Sequence, residues 1–206
     1  FKEKENLVKS NNYNLLLSAE HFSSRLRGEN IGNFKKLVNN LSDNCKIIFI
    51  IRNQIKWHVS AYNTFVSCGG KLKFSEWVEK SVNQRSADWE LILSQWAKYF
   101  HINNIIVLPL SEKSNNTSLE HRFYKACCLS DDCIKGLDLI PRMNESKNAY
   151  ILEKIRQINL EMPWMVDGFF NKERNKAIND EIRRFENQSE YNKKMIINNF
   201  ENNFLT

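Results

Sequence analysis

The chain has 206 residues, a net charge of +6, 42% hydrophobic residues and 12% aromatic residues. That apolar content excludes wholesale disorder and gives ample length for one domain with its own core. Lys and Arg are scattered singly among acids, without a long basic run or a recognisable nucleic-acid module, so the charge suits a small anionic ligand and argues against nucleic acid.

In chain order, a helix end over residues 1–9 leads to a strand at about Asn14 to Ser18. A helix over Gly32 to Leu41 precedes a strand from Cys45 to Ile51. Helices follow at Gln54 to Ser67, Phe74 to Val82 and Asp88 to Phe100, then a third strand at Asn104 to Leu110. The last third is helical: Ser118 to Leu129, Asn148 to Leu160, Lys172 to Asn187 and Tyr191 to Phe204. Lys113 to Ser118 and Ser130 to Asn144 read as loops, and Met162-Pro163-Trp164 breaks the helical run as a mobile surface segment. Strands separated by helices predict a parallel sheet with helical crossovers, an α/β fold in one domain spanning residues 1–206.

The segment Lys46 to Val66, KIIFIIRNQIKWHVSAYNTFV, carries the most chemistry. Five apolar residues, Ile47 to Ile51, suit a parallel strand covered on both faces. Asn53 is a helix N-cap residue type, and Ile55, Val59, Tyr62 and Val66 predict the inward stripe of the helix that follows. Arg52 then sits at the carboxyl end of a buried strand, where open α/β sheets bind ligands. Lys56, Ser60 and Asn63 share a polar stripe, and with Arg52 they offer a donor fork, a hydroxyl and positive charge to a phosphate.

An Arg followed eight residues later by a Ser across a strand-to-helix junction resembles the 3'-phosphate-binding element of sulfotransferases that use 3'-phosphoadenosine 5'-phosphosulfate (PAPS). The wording around Arg52 to Asn63 is similar to the bacterial sulfotransferase-like branch. Asn14 to Leu26, NLLLSAEHFSSRL, resembles that family's strand ending in Ser-x-Glu. Gly69 to Trp77 resembles the loop and helix after the phosphate-binding helix, and Trp89 to Leu110 a helix with an inward Trp leading to a strand. Arg142-Met143-Asn144-Glu145-Ser146 resembles the Arg-x-Asn-x-Ser segment before the last helices, and Phe200 to Leu205 the closing Phe-x-x-x-Asn pattern. The resemblance runs from about residue 14 to the end.

It implies a P-loop-NTPase-like parallel sheet flanked by helices, a three-layer α/β/α arrangement with a helical C-terminal third. It also implies sulfuryl transfer from PAPS to a hydroxyl or amine of an acceptor, a saccharide or other small molecule, with no metal. Arg52 and Ser60 would hold the 3'-phosphate, and Arg142 and Asn144 would close over the nucleotide. Glu20 matches the Ser-x-Glu position of a general base; His21 beside it has the better unperturbed pKa for that work.

One departure is large. The family's 5'-phosphosulfate loop, a Lys/Gly/Thr-rich turn between the first strand and a helix, has no counterpart here. Gly69-Gly70-Lys71 follows a helix and fails the strand-turn-helix context. Because the chain opens at Phe1, inside an expected helix, a partial chain lacking the first strand and its loop is expected, inactive by itself; loss of cofactor binding is the other explanation. Alternatives in other classes are a nucleotide-dependent small-molecule kinase of similar architecture, or a non-catalytic module binding an anionic glycan or a protein.

The five cysteines are odd in number and show no C-x₂-C spacing, and the four histidines no metal-ligand spacing. Reduced thiols and a cytoplasmic location are expected. No apolar run in the visible chain approaches a membrane span. Trp57 and Trp96 fall on apolar faces and are expected in the core.

Overall fold

The computed structural model describes residues 15–19, 22–42, 44–110, 117–137 and 147–204. A short helix α1 (Phe22–Arg25) precedes α2 (Glu29–Asn39) and strand β1 (Ile47–Ile51). Helices α3 (Gln54–Ser67), α4 (Phe74–Asn83) and α5 (Trp89–Ala97) follow, then β2 (Ile105–Pro109) after a single 3₁₀ turn. The later elements are α6 (Leu119–Ala126), α7 (Asp131–Lys135), α8 (Ala149–Glu161), β3 (Met165–Val166), β4 (Phe169–Phe170), α9 (Lys172–Glu186) and α10 (Glu190–Phe204). This is a mixed α/β structure, mostly helical, with a small parallel two-stranded sheet flanked by helices.

Local chemistry explains where the helices start. Asp88, Ser118, Ser130, Asn148 and Asn171 each stand immediately before a helix, and each side chain accepts the backbone N–H three residues on. Each therefore satisfies one of the amide donors that a helix start leaves without a partner.

The chain divides into two compact units: Phe1–Gln54 with Arg85–Leu139, and Ile55–Gln84 with Ile140–Thr206. In the first, β1 and β2 pair in parallel, Ile47 opposite Ile105 through Ile51 opposite Pro109. One face of β1 packs through Phe49 on Ile31, Ile92, Trp96 and Phe100, with Ile47 and Ile51 against the same cluster. Trp96 meets Phe49 edge-on at 5.4 Å and stacks on Phe100 at 5.7 Å, geometries that aromatic quadrupoles favour.

The second unit is built round α3 and α8. Tyr62 and Val66 bury against Ile151, Leu152 and Ile155, with Phe65, Trp77, Ile178, Ile182 and Phe185 around them. Here α3 ends in a Schellman turn: Gly70 N–H bonds the Phe65 carbonyl and Gly69 N–H the Val66 carbonyl. Gly69 holds φ 88°, and a Cβ there would lie 2.6 Å from the Trp164 Cβ, so the position requires glycine.

Several expectations need correction. Residues 15–19 form no strand: Leu15, Leu16 and Leu17 are exposed, and an apolar run becomes a strand only where a neighbour completes its ladder. In β1, Ile50 is 48% exposed, so the strand is not covered on both faces. Of the stripe predicted on α3, Tyr62 and Val66 are buried while Ile55 and Val59 are exposed. Periodicity marks which face is apolar; only a packed neighbour buries it. The region Ser130 to Asn144 contains the short helix α7 within the predicted loop.

After Met162-Pro163-Trp164 the chain forms a two-stranded antiparallel hairpin, with Met165 opposite Phe170 and Val166 opposite Phe169. Asp167 and Gly168 at its tip both take positive φ, the geometry that Asp-Gly supplies in tight hairpins. That dipeptide between apolar pairs was the sequence signal for it. Among the described residues no helix is long and apolar enough to cross a membrane.

Candidate functional site

The site begins where β1 ends. A strand inside a parallel sheet uses its amides in the ladder, and the first residue beyond the ladder is free to present its side chain. Arg52 occupies that place, with Asn53 between it and the first residue of α3. Its backbone is held from α5, whose Trp89 Nε1–H donates to the Arg52 carbonyl at 2.9 Å. Its guanidinium, partly exposed, has no hydrogen bond or ion pair among the described residues. An arginine that merely finished the strand would be expected to carry an acidic partner.

The end of β2 is fastened to the same place. Leu110 N–H donates to the Ile51 carbonyl at 2.7 Å, continuing the register one step beyond Pro109. Arg122, on α6, donates from Nη1 to the Pro109 carbonyl at 2.9 Å. Its remaining donor atoms, Nε and Nη2, are buried without a hydrogen-bond partner among the described residues. Those two atoms form the side-on edge of a guanidinium, the edge that grips two oxygens of one carboxylate or phosphate.

Sequence reasoning missed Arg122 because an Arg inside an amphipathic helix has no spacing signal. Only its docking on the last carbonyl of β2 distinguishes it. Lys125, on the same helix, is committed elsewhere: it pairs with Asp131 at 2.7 Å, and that contact, first among several, holds the Asp131 carboxyl below its usual range.

The other predicted residues distribute as follows. Ser60 lies two turns into α3, partly buried, and belongs to the second unit, whereas Arg52 belongs to the first. Its hydroxyl has no hydrogen-bond partner among the described residues. Glu20, His21, Arg142 and Asn144 lie outside the described residues. Trp96 is buried in the first core, and Trp57 is partly buried, stacked on Trp77 at 6.4 Å. Neither is a free platform for a base.

Gly69-Gly70-Lys71, set aside as a phosphate loop from its position after a helix, is a helix terminus whose carbonyls are the reactive groups. Asn159 Nδ2 donates to the Val66 and Gly70 carbonyls, both at 2.8 Å. Arg174 Nη2 reaches the Ser67 carbonyl at 3.0 Å, and Arg156 Nη1 the Lys71 carbonyl at 3.1 Å. Tyr62 donates to the Leu72 carbonyl at 3.1 Å. Burial and then the Glu153 carboxylate push that phenol up to about 12, against the pull of Arg156, so it stays a neutral donor. The turn is saturated with donors from α3, α8 and α9 and offers no amide nest to an anion.

What the described residues bring to the carboxyl end of the two-stranded sheet is two guanidiniums, Arg52 and Arg122, without an acidic partner among the described residues, a donor set suited to an oxyanion. Among those residues no three His, Cys, Asp or Glu side chains converge as a metal site. All five cysteines carry free thiols. No protein-family model, curated protein or solved structure matches the chain.

Proposed function

We propose that the chain is the 3'-phosphate-binding part of a PAPS-dependent sulfotransferase that acts on a saccharide or other small hydroxyl- or amine-bearing acceptor. The observation that carries this is the guanidinium of Arg52 at the carboxyl end of β1, without a partner among the described residues and just ahead of the helix that bears Ser60 eight residues on. The donor set fits the group: a guanidinium without an acidic partner and a free hydroxyl suit a phosphate dianion and not a neutral ligand. On this reading the two-stranded sheet is part of a three-layer P-loop-like architecture, and the protein works in the cytoplasm.

PAPS would supply the sulfuryl group. Arg52 and Ser60 orient the nucleotide by its 3'-phosphate, so that binding energy far from the sulfur positions the reacting atoms. Arg142 and Asn144 close over the nucleotide. Glu20, or His21 beside it, accepts the proton of the acceptor hydroxyl as the nucleophile forms. The 5'-phosphosulfate loop is not among the residues of this chain, and the reading requires it to come from elsewhere in the protein.

Titration calorimetry with 3'-phosphoadenosine 5'-phosphate tests the reading. Binding that falls roughly 10- to 100-fold in Arg52→Ala, and by less in Ser60→Ala, is expected for loss of charged hydrogen bonds. A protein that carries a phosphosulfate loop and still ignores the nucleotide would sink it. Sulfate transfer undiminished in Glu20→Ala would remove that residue as the base. Binding without transfer would leave a non-catalytic anion-binding module.

A further inference from the structure

We infer that Arg122 is an oxyanion-binding residue, which with Arg52 takes a phosphate or sulfate monoester at the carboxyl end of the two-stranded sheet. The inference concerns the first unit alone and holds whether or not the ligand is a nucleotide.

Three observations combine. First, the guanidinium of Arg122 is oriented by its own anchor: Nη1 is spent on the Pro109 carbonyl at 2.9 Å, which fixes the ring of donors against the strand end. Second, Nε and Nη2 are both buried and both without a partner. Buried N–H donors are nearly always satisfied, and a charged group with two orphans in one edge is destabilising unless something fills them. Third, the unpartnered two-donor edge lies at a strand end that already carries a cation. The register sets Ile51 opposite Pro109, Arg52 directly follows Ile51, and Arg122 sits on Pro109 itself. Two guanidiniums without an acidic partner among the described residues thus share one end of one sheet.

The chemistry selects the ligand class. A single bidentate edge accepts two oxygens in a plane, which a carboxylate, sulfate or phosphate all present. A second guanidinium at the same sheet end favours a tetrahedral group with further oxygens and, for phosphate, a second negative charge. A carboxylate satisfied by Arg122 would leave Arg52 with nothing to hold. Phosphate and sulfate monoesters share the required geometry and differ mainly in charge, so affinity for phosphate should rise as its second proton leaves between about pH 6 and 7, while sulfate affinity should not.

The test uses the full chain in a buffer free of phosphate and sulfate, at constant ionic strength. Thermal melting with inorganic phosphate and with sulfate, and calorimetry with adenosine 3',5'-bisphosphate, are run on the wild type and four variants. Arg122→Lys keeps the charge but loses the fork, and should weaken phosphate binding roughly 10- to 100-fold. Arg122→Met fills the same space without donors and should abolish the phosphate-dependent rise in Tm while leaving a folded protein. Arg52→Ala should weaken the same response. Lys125→Gln removes a charge from the same helix that is already paired with Asp131, and should leave affinity within about twofold, which excludes a general effect of positive charge.

A phosphate response equal to wild type in both Arg122 variants overturns the inference. So does a wild type that responds to none of the three anions. Inorganic phosphate bound through Arg122 and Arg52, with the bisphosphate ignored, supports the inference and removes the nucleotide reading. Bisphosphate bound through Arg52 but unaffected at Arg122 does the reverse.

Discussion

The two units treat an arginine that bonds a backbone carbonyl in opposite ways. In the second, Arg174 is 2% exposed and every nitrogen of its guanidinium has an oxygen: Asn159 Oδ1 at 2.8 Å, Asn175 Oδ1 at 3.2 Å and the Ser67 carbonyl at 3.0 Å. In the first, Arg122 has one such bond and two buried donors left over. A satisfied guanidinium is a structural element, which here ties α9 and α8 to the end of α3. An unsatisfied one costs stability unless an oxygen from outside the protein fills its donors. The donor inventory, and not burial, is what distinguishes the two arginines.

The contrast extends to the cores around them. The first unit is held by aromatic and aliphatic packing, and Trp96 Nε1, inside its main cluster, has no partner among the described residues. The second adds to its apolar cluster a polar node, Asn159, that is fully buried and bonded on both sides of its amide.

The strongest way to break the comparison is Asn159→Leu, which keeps the volume and removes the node. It leaves the Gly70 carbonyl and Arg174 Nε without their partner and the Val66 carbonyl with the Gly69 N–H alone, a loss expected at about 3–5 kcal/mol in urea unfolding. A variant as stable as wild type would show that water replaces the amide. Next is Gly69→Ala, expected to cost about 2–3 kcal/mol because a Cβ at φ 88° would also strike Trp164. The same measurement checks it, with a fall in the midpoint and an unchanged slope.

In the first unit the corresponding swap should be milder. Trp96→Phe trims the ring but also removes a buried N–H that had no partner, so about 1–2 kcal/mol is expected from the lost contacts. A larger loss would mean that the indole N–H has a partner in solution. Arg122→Met should change the stability of the ligand-free protein by no more than about 1 kcal/mol, since losing the bond to Pro109 is offset by removing two orphaned donors. A cost above that would make Arg122 structural, like Arg174.

The smallest effect is at the start of α5. The Leu91 N–H, and next the Arg85 side chain, hold the Asp88 carboxyl below its usual range. A depressed carboxylate stabilises the fold fully above its unfolded pKa, and that contribution disappears as pH falls through the lower folded value. Asp88→Asn should therefore be less stable than wild type at neutral pH, and the gap should close on acidification below about pH 4. Parallel melting curves at every pH would remove the N-cap from the account.

Much of this was legible along the chain because the causes are local. The apolar run at Ile47–Ile51, the end of that run at Arg52 and the helix from Gln54 to Ser67 all follow from residues within a few positions of one another. Asp88, Ser118 and Asn148 mark helix starts by a side chain that reaches its own first turn. The hairpin at Met165 to Phe170 belongs to the same class, and its Asp-Gly tip was there to be read. The expected strand at Asn14 to Ser18 failed for the opposite reason: Leu15 to Leu17 are apolar enough, but a strand needs a partner that composition does not supply. Ile55 and Val59 likewise share a helical face with Tyr62 and Val66 without sharing their burial.

That Arg52 stands between an apolar strand and a helix, at a place suited to an anion, follows from the order of residues along the chain. Which arginines have their donors filled and which do not follows from the packing of distant elements. Asn159 lies 93 residues from the carbonyl it caps at Val66, and Arg122 13 residues from Pro109. Secondary structure responds to neighbours within a turn, but whether a guanidinium finds its oxygens depends on which strand or helix end is carried to it.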